Sequence, residues 1–148
     1  MPEEKPKEVK LTVGQLLEMH RQLESNLQLL RAQEAELQNS LIEIAATIDA
    51  IKELKEAKKA VLATIGSGCY INVSADVKEV TMHIGQNIFL KKKPNEAIKI
   101  LENRQKQISK NIEKLRKEIA RISNELNSIR KIVADVSRKQ AGKDVQSA

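Results

Sequence analysis

The sequence predicts a mainly α protein, in which a long antiparallel coiled-coil hairpin of two helices carries two central β-hairpins. Three observations predict this fold. Apolar heptad repeats occur in both halves of the chain, a β-rich segment with three glycines separates them, and Tyr70 and Phe89 are the only aromatic residues among 148. Aromatic side chains usually dominate compact cores and ligand pockets. The composition therefore favours long helices and disfavours a globular enzyme.

The first helix is expected over residues 13–59, after a polar N-terminal tail at 1–12. Apolar residues spaced three and four apart line one stripe of a helix, and a sustained stripe specifies a left-handed coiled coil. Three residues of the stripe are polar, namely His20, Glu34 and Lys55, and we interpret His20 and Glu34 as breaks that fix the register. One core row contains Leu16, Leu23, Leu30, Leu37, Ile44 and Ile51, and the other contains Val13, His20, Leu27, Glu34, Leu41, Ile48 and Lys55.

Residues 60–93 are expected to form two β-hairpins. β-Rich runs flank the glycines at 66–68 and the turn at 85–87, and such runs separated by glycine-containing turns are typical of hairpins. Isolated hairpins are marginal in water, and arms that project away cannot cover strands this apolar. We therefore expect oligomerisation through the strands. The residues expected at that contact are Val61, Ala63, Ile65, Tyr70, Ile71, Val73, Val80, Met82, Ile84, Ile88 and Leu90.

The second helix is expected over residues 94–137, followed by a polar and disordered tail at 138–148. Pro94 suits the first helical position, where its missing N–H costs nothing, and Glu96 suits the first turn. The heptad rows run from Ile98 to Val136, and only Gln105 interrupts them. The nearly equal lengths of the two helices predict that they pair with each other.

No residue pattern predicts catalysis, a cofactor or a metal site. His20 and His83 are the only histidines and Cys69 is the only cysteine, so neither an internal disulfide nor a cysteine metal site is possible. We expect Cys69 to be a buried structural thiol and His83 to face solvent. The longest uncharged run, residues 60–75, is too short and too polar to span a membrane. No secretory signal precedes it, so we expect a cytoplasmic protein without a membrane partner.

The net charge of +6 is concentrated in the second half. Residues 95–148 contain thirteen basic and seven acidic residues. This excess is either a solvated helix face or a surface that attracts an acidic partner or a polyanion. Aromatic residues are not interleaved with Lys91, Lys92 and Lys93, and this disfavours binding to nucleic acid. We expect no nucleic-acid partner and keep a nucleic-acid-binding coiled coil as an alternative hypothesis.

Apolar residues gather where the N-terminal end of the first helix meets the end of the second. Leu17 and Ile132 lie outside the heptad stripe, so the partner helix need not cover them. These residues either complete the coiled coil or bind another molecule. The candidate binding residues are Val9, Leu11, Val13, Leu16, Leu17, Met19, Ile132, Val133 and Val136.

Three local motifs resemble the alpha-class prefoldin subunit of the archaeal type. The segments 63–71 and 80–88 are similar to the two hairpins of that family, and 93–98 is similar to its second helix start, with Glu-Ala-Ile at 96–98. The resemblance covers roughly residues 13–137, and two hairpins rather than one distinguish the alpha class from the beta class.

This resemblance implies a chaperone and not an enzyme. It implies a hetero-oligomeric hexamer with beta-class subunits around a β-barrel body, to which residues 61–90 contribute. It also implies an ATP-independent holdase that captures unfolded polypeptide clients at the helix ends and passes them to a group II chaperonin in the cytoplasm. The alternative is a structural coiled-coil scaffold or a filament-forming homo-oligomer, because head-to-tail contacts that do not close grow into fibres.

Overall fold

The computed structural model describes residues 11–57, 60–74 and 76–146. Two long helices enclose two small antiparallel hairpins in sequence, and this order confirms the predicted fold class. The β-barrel is a property of an assembly and stays a prediction. The elements are α1 (Val13–Glu56), β1 (Val61–Gly66), β2 (Cys69–Val73), β3 (Val80–Gly85), β4 (Ile88–Lys92) and α2 (Pro94–Gln146).

A reciprocal capping box begins α1. The Gln15 N–H donates to Thr12 Oγ1 at 3.2 Å, and the Thr12 N–H donates to Gln15 Oε1 at 3.0 Å. This arrangement satisfies two backbone donors that a helix N-terminus otherwise leaves unpaired. At the start of α2, the Ala97 N–H donates to the Lys93 carbonyl at 2.9 Å, and Pro94 occupies the first helical position. Local sequence therefore determines where both helices begin.

The C-terminal end of α2 differs from the expected boundary. The helix continues to Gln146, past Ser137 where the heptad pattern ends. Arg, Lys, Gln and Ala dominate residues 138–141, and these residues have high helix propensity. A helix already nucleated by its packed part extends through such residues at little cost. The polar composition therefore indicated the end of the heptads and not the end of the helix. At the other terminus, the expected tail at 1–12 lies outside the described residues except for Leu11 and Thr12.

The chain divides into two compact units, and both helices contribute to each of them. The arm unit comprises residues 1–35 and 114–148, and the hairpin unit comprises residues 36–113. In the arm unit, every buried apolar residue among those described belongs to a predicted heptad row. These residues are Leu16, Leu27, Ile122, Leu126 and Ile129.

Polar contacts show that the helices of the arm unit are antiparallel. Arg130 donates to His20 and Arg116 donates to Glu34. A step of fourteen residues forward along α1 therefore matches a step of fourteen residues back along α2. Fourteen residues are two heptads, so both helices keep the same repeat across this distance.

In the hairpin unit, the second hairpin packs on the base of the helix pair. Met82 of β3 is 7% exposed and lies in one buried cluster with residues of both helices. The other buried members of that cluster are Ile48, Ile51, Ala97, Ile98 and Leu101. The Lys55 ammonium also donates to Asn95 Oδ1 at 2.7 Å, which joins the end of α1 to the start of α2. The β3–β4 hairpin is thus part of the chain's own core.

Both hairpins end in the same kind of turn. Ser67 and Gly68 have φ values of 48° and 75°, and Gln86 and Asn87 have values of 49° and 58°. Two consecutive residues with positive φ are typical of the tight hairpin turn whose twist matches the strands. Gly66 and Gly85 precede these turns at φ values of 109° and 111°, where each interrupts the strand register. A side chain is strained in this conformation.

Replacing Gly85 by alanine is expected to destabilise the second hairpin by about 1–3 kcal/mol because of backbone strain alone, since a Cβ at this position meets open space. Gly142→Ala is the matched control, because it also adds a methyl group in open space but within a helix. That variant is expected to gain up to about 1 kcal/mol. Urea denaturation measures both changes. Equal stability of G85A and the parent chain would contradict the assigned strain.

Candidate functional site

The first hairpin, β1–β2, presents apolar residues on both faces. Alternate residues of a strand share a face, and the pairing of Val61 with Val73 and of Ala63 with Ile71 makes one face entirely apolar. The other face carries the exposed Leu62. None of the residues of β1 or β2 belongs to either buried cluster of the described chain. This hairpin is therefore as apolar as a buried strand pair, but its side chains do not join a buried cluster of the described chain.

The predicted assembly residues fall into three groups by exposure. Met82 is buried within the chain, where it packs the β3–β4 hairpin against both helices. Half-buried residues are Val61, Ala63, Val73 and Val80, and exposed residues are Ile65, Tyr70, Ile71, Ile84, Ile88 and Leu90. The exposed group includes residues of all four strands, so most of the apolar strand surface is open to a partner.

The expectation of a buried thiol at Cys69 is wrong, because the side chain is exposed. Its position in β2 explains the difference. The apolar pattern of β2 indicated which side chains favour burial, but no element of the described chain covers that hairpin. His83 is exposed as expected, and its ring lies 4.9 Å from the Phe89 ring across the β3–β4 pair.

The predicted binding residues at the helix ends separate into covered and open positions. Leu17 and Ile132, outside the heptad stripe, are 52% and 47% exposed. Leu16, within the stripe, is only 7% exposed and belongs to the helix-pair core. Leu11 and Met19 are exposed, whereas Val13, Val133 and Val136 are half-buried. Val9 lies outside the described residues.

A groove beside these residues was not predicted from the sequence. It has a volume of about 350 Å³ and is lined by Leu17, His20, Ile129, Arg130, Val133 and Ala134. Small side chains at helix surfaces leave room between neighbouring turns, and Ala134 does so here. The groove depends on which residues of α2 lie opposite Leu17. Periodicity on each helix alone does not give that register.

His20 and Glu34, the two polar residues interpreted as breaks in the first core stripe, both have partners on the opposite helix. The Arg130 Nε–H donates to His20 Nε2 at 3.2 Å, and the Arg130 guanidinium also lies 3.6 Å from the Glu24 carboxylate. The Arg116 Nε–H donates to Glu34 Oε1 at 2.6 Å. A polar core residue with one matching partner favours a single alignment of the helices. These contacts support the interpretation of His20 and Glu34 as register-fixing residues.

One basic residue of α2 is neutralised by its own helix. Arg121 donates to Glu118 and to Glu125, one turn away on either side. The hydrogen bond from Arg121 is the main cause that lowers the pKa of Glu118. Exposed pairs of this kind add little stability, but they reduce the positive charge that this part of α2 presents.

The described residues offer neither a metal site nor a membrane-spanning helix. Among residues 11–57, 60–74 and 76–146, no group of three or more His, Cys, Asp or Glu side chains could hold a metal ion. Within the same ranges, neither long helix contains a stretch apolar enough to cross a bilayer.

Comparison with known proteins decides the family. The family model described as "Prefoldin subunit" matches residues 23–139. The chain belongs to the prefoldin family. The prefoldin subunit alpha of Methanococcoides burtonii is 30% identical over 123 residues, covering 81% of this chain and 89% of the relative. The prefoldin subunit alpha of Pyrococcus horikoshii is 27% identical over 120 residues, covering 80% and 78%. The predicted resemblance to an archaeal alpha-class prefoldin subunit is thereby confirmed.

A solved prefoldin structure has the same fold. The filamentous prefoldin of Methanocaldococcus jannaschii, determined by cryo-electron microscopy, aligns with a TM-score of 0.64 at 23% identity. The alignment covers 74% of this chain and 93% of that chain. Prefoldins are chaperones and not enzymes, and membership of the family supports a chaperone-type role for this chain.

Charge reversal tests the cross-helix pair at Glu34 and Arg116. Either Glu34→Lys or Arg116→Glu alone is expected to destabilise the helix pair by about 1 kcal/mol, because each places like charges together. The double reversal restores an ion pair and is expected to recover most of that loss. A double-mutant cycle from chemical denaturation gives the coupling free energy. Simple addition of the two single losses would contradict a direct contact between these residues.

Proposed function

We propose that this chain is a subunit of an ATP-independent chaperone. It captures unfolded polypeptides at the helix ends of the arm unit and passes them to a group II chaperonin in the cytoplasm. The observation that carries this proposal is the exposure of Leu17 and Ile132 outside a coiled-coil core that is already complete. Apolar side chains in that position contribute nothing to the core, and they are available to a client.

The chemistry of the helix ends suits a varied set of clients. Leu11, Leu17, Met19 and Ile132 are aliphatic or thioether side chains, and methionine in particular adapts to irregular surfaces. Each such contact is weak, but several arms holding one chain gain strength through multivalency. Binding of this kind is driven by burial of apolar surface and requires no nucleotide.

Assembly with beta-class subunits is the second part of the proposal. The β1–β2 hairpin exposes aliphatic side chains and Tyr70 without a core beneath it. Burial of such surface is worth about 25 cal/mol per Å², and a lone hairpin is marginal without it. Strands from neighbouring subunits cover this surface and complete the hairpin's hydrogen bonding at its edges.

A filament-forming scaffold is the alternative function. The same open hairpin surfaces favour it, and the aligned Methanocaldococcus jannaschii structure is a filamentous prefoldin. The two functions differ in whether the hairpin contacts close into a particle or continue in one direction.

Client capture is tested by two double variants, each of which replaces two exposed apolar residues by serine at a different location. Leu17→Ser with Ile132→Ser is expected to reduce capture several-fold, because it removes apolar surface at the helix ends without touching the core. Leu29→Ser with Ile42→Ser is the matched control, since these side chains are 59% and 69% exposed elsewhere on α1. The measurement is suppression of aggregation of a diluted, denatured client without ATP, using the assembled particle.

The result that would refute capture at the helix ends is equal suppression by the two double variants and the parent. Equal loss in both double variants would instead indicate that exposed apolar surface anywhere on α1 suffices. Sedimentation of each variant confirms that assembly is intact.

Assembly through the first hairpin is tested by Ile71→Lys. A lysine on the apolar face of β1–β2 is expected to abolish assembly, because its charge cannot be buried against apolar strands. Circular dichroism is expected to show unchanged helix content.

Electron microscopy of the parent distinguishes the two functions. A uniform particle formed with a beta-class subunit supports the chaperone, and concentration-dependent growth of the chain alone supports the filament.

A further inference from the structure

A second groove, the β3 groove, lies in the hairpin unit. Among the described residues, its lining includes four consecutive residues of β3, from Val80 to His83, and none of β4. Neighbouring residues of a strand point to opposite faces, so a groove that contacts all four lies at an edge of the strand. Its volume is about 570 Å³, and its apolar walls are formed by Ile44, Ile51, Met82, Leu101 and Ile108.

The edge of β3 at this groove is open. In the described chain, β3 pairs only with β4, and no further backbone hydrogen bond reaches residues 80–85. In an antiparallel pair, alternate residues direct their N–H and C=O groups away from the partner strand. Such an edge accepts another strand, as it does in recognition by β-strand addition.

Arg104 is the charged residue that distinguishes the β3 groove. Its side chain is half-buried and lines the groove, and within the described residues it forms neither a hydrogen bond nor an ion pair. A guanidinium has five N–H donors, and burial of a charge is costly without a partner. Glu43 lines the same groove, but its side chain is exposed to solvent and forms no ion pair with Arg104. The unsatisfied group of this groove is therefore a half-buried cation.

The strands of this chain do not carry the complementary charge. None of the residues of β1 to β4 is acidic, and β4 contains Lys91 and Lys92. Glu79, directly before β3, is the only acidic residue that adjoins a strand. A strand of β1, β2 or β4 from a second copy would therefore bring no carboxylate to Arg104, and β4 would bring like charge, which disfavours that pairing.

We propose that the open edge of β3 binds an extended segment from a subunit of different sequence, and that Arg104 selects this segment through a carboxylate that it carries. The inference rests on the proposed assembly with a beta-class subunit, and it adds a contact separate from that of the first hairpin. The backbone of the segment pairs with β3, and its apolar side chains enter the groove. Its carboxylate accepts hydrogen bonds from the Arg104 guanidinium, a pairing stronger than that of neutral groups.

Substitutions of Arg104 test this selection in the assembly of the full chain with a beta-class prefoldin subunit. Arg104→Glu is expected to weaken assembly about tenfold or more, because it brings like charges together where they are desolvated. Arg104→Lys keeps the charge and is expected to weaken assembly less. Sedimentation over a concentration series measures the affinity, and circular dichroism verifies helix content.

Lys99→Glu is the matched control for Arg104→Glu. Lys99 is an exposed basic residue of α2 in the same unit, and it does not line the β3 groove. The same reversal of charge is expected to change the affinity by less than about twofold at this position, because exposed charges are screened by solvent and salt.

Self-association gives a readout that a merely structural role of Arg104 would not produce. Arg104→Leu removes a charge that β1, β2 or β4 of a second copy does not neutralise. This variant is expected to assemble more weakly with the beta-class subunit and to self-associate several-fold more strongly than the parent chain. Loss of both kinds of association would indicate a structural role and would overturn the selection.

Exchange of charges identifies the carboxylate on the partner. Each acidic residue in or beside the strands of the beta-class subunit is replaced by arginine, one at a time, and combined with Arg104→Glu. One combination is expected to recover most of the lost affinity, because it restores an ion pair of opposite polarity. Recovery with none of them would contradict a direct contact with Arg104.

The remaining failures are distinguishable. If Arg104→Glu assembles as the parent does, the selection is overturned and assembly through the first hairpin stands. If the parent self-associates and either Arg104→Leu or Glu79→Gln abolishes this, a second copy supplies the carboxylate, and the requirement for a different chain is overturned. If the parent does not assemble with a beta-class subunit, the proposed assembly fails together with this inference.

Discussion

The antiparallel register of α1 on α2 is the constraint on which the rest of the structure depends. In the arm unit, Leu27 packs with Ile122 and Leu126, and the partners of His20 and Glu34 keep the same alignment over two heptads. In the hairpin unit, Ile48 and Ile51 meet Ile98 and Leu101, and this cluster is the platform for Met82. A shift of one helix by a single residue would rotate every core side chain out of its row. The groove beside Leu17 and the apolar cluster on which the second hairpin packs would both be lost.

The two hairpins differ in whether they pack on this platform. The β3–β4 hairpin is held through Met82 and Val80, so the helix pair itself provides the apolar surface that stabilises it. The β1–β2 hairpin has only its internal pairing and its turn. Local stability follows from buried apolar contacts, so the two hairpins differ in how far they depend on a partner. The assembly proposed above, through the first hairpin, would therefore also order this segment.

Periodicity predicted the parts of the fold that one stripe of residues determines. The buried residues of the arm unit all lie in heptad rows, and the second helix begins at Pro94 as its sequence predicted. The sequence did not predict the exposure of Cys69, because an apolar strand pattern indicates a preference for burial without naming the element that provides it. It did not predict the end of α2 either, since helix propensity continues after the heptads stop. The groove at Ala134 also needs the cross-helix register, which becomes visible only when the two helices are paired.

The repeated turn in the two hairpins has a consequence for symmetry. Gly66 and Gly85 adopt nearly the same φ, the next two residues of each turn follow the same sequence of conformations, and both strand registers slip at the same point. Each chain therefore supplies two copies of one structural design, although their sequences differ. In a ring or barrel built from such hairpins, the repeating unit would be the hairpin and not the chain. Hairpins from chains with one hairpin and from chains with two could then occupy equivalent places in one pseudo-symmetric assembly.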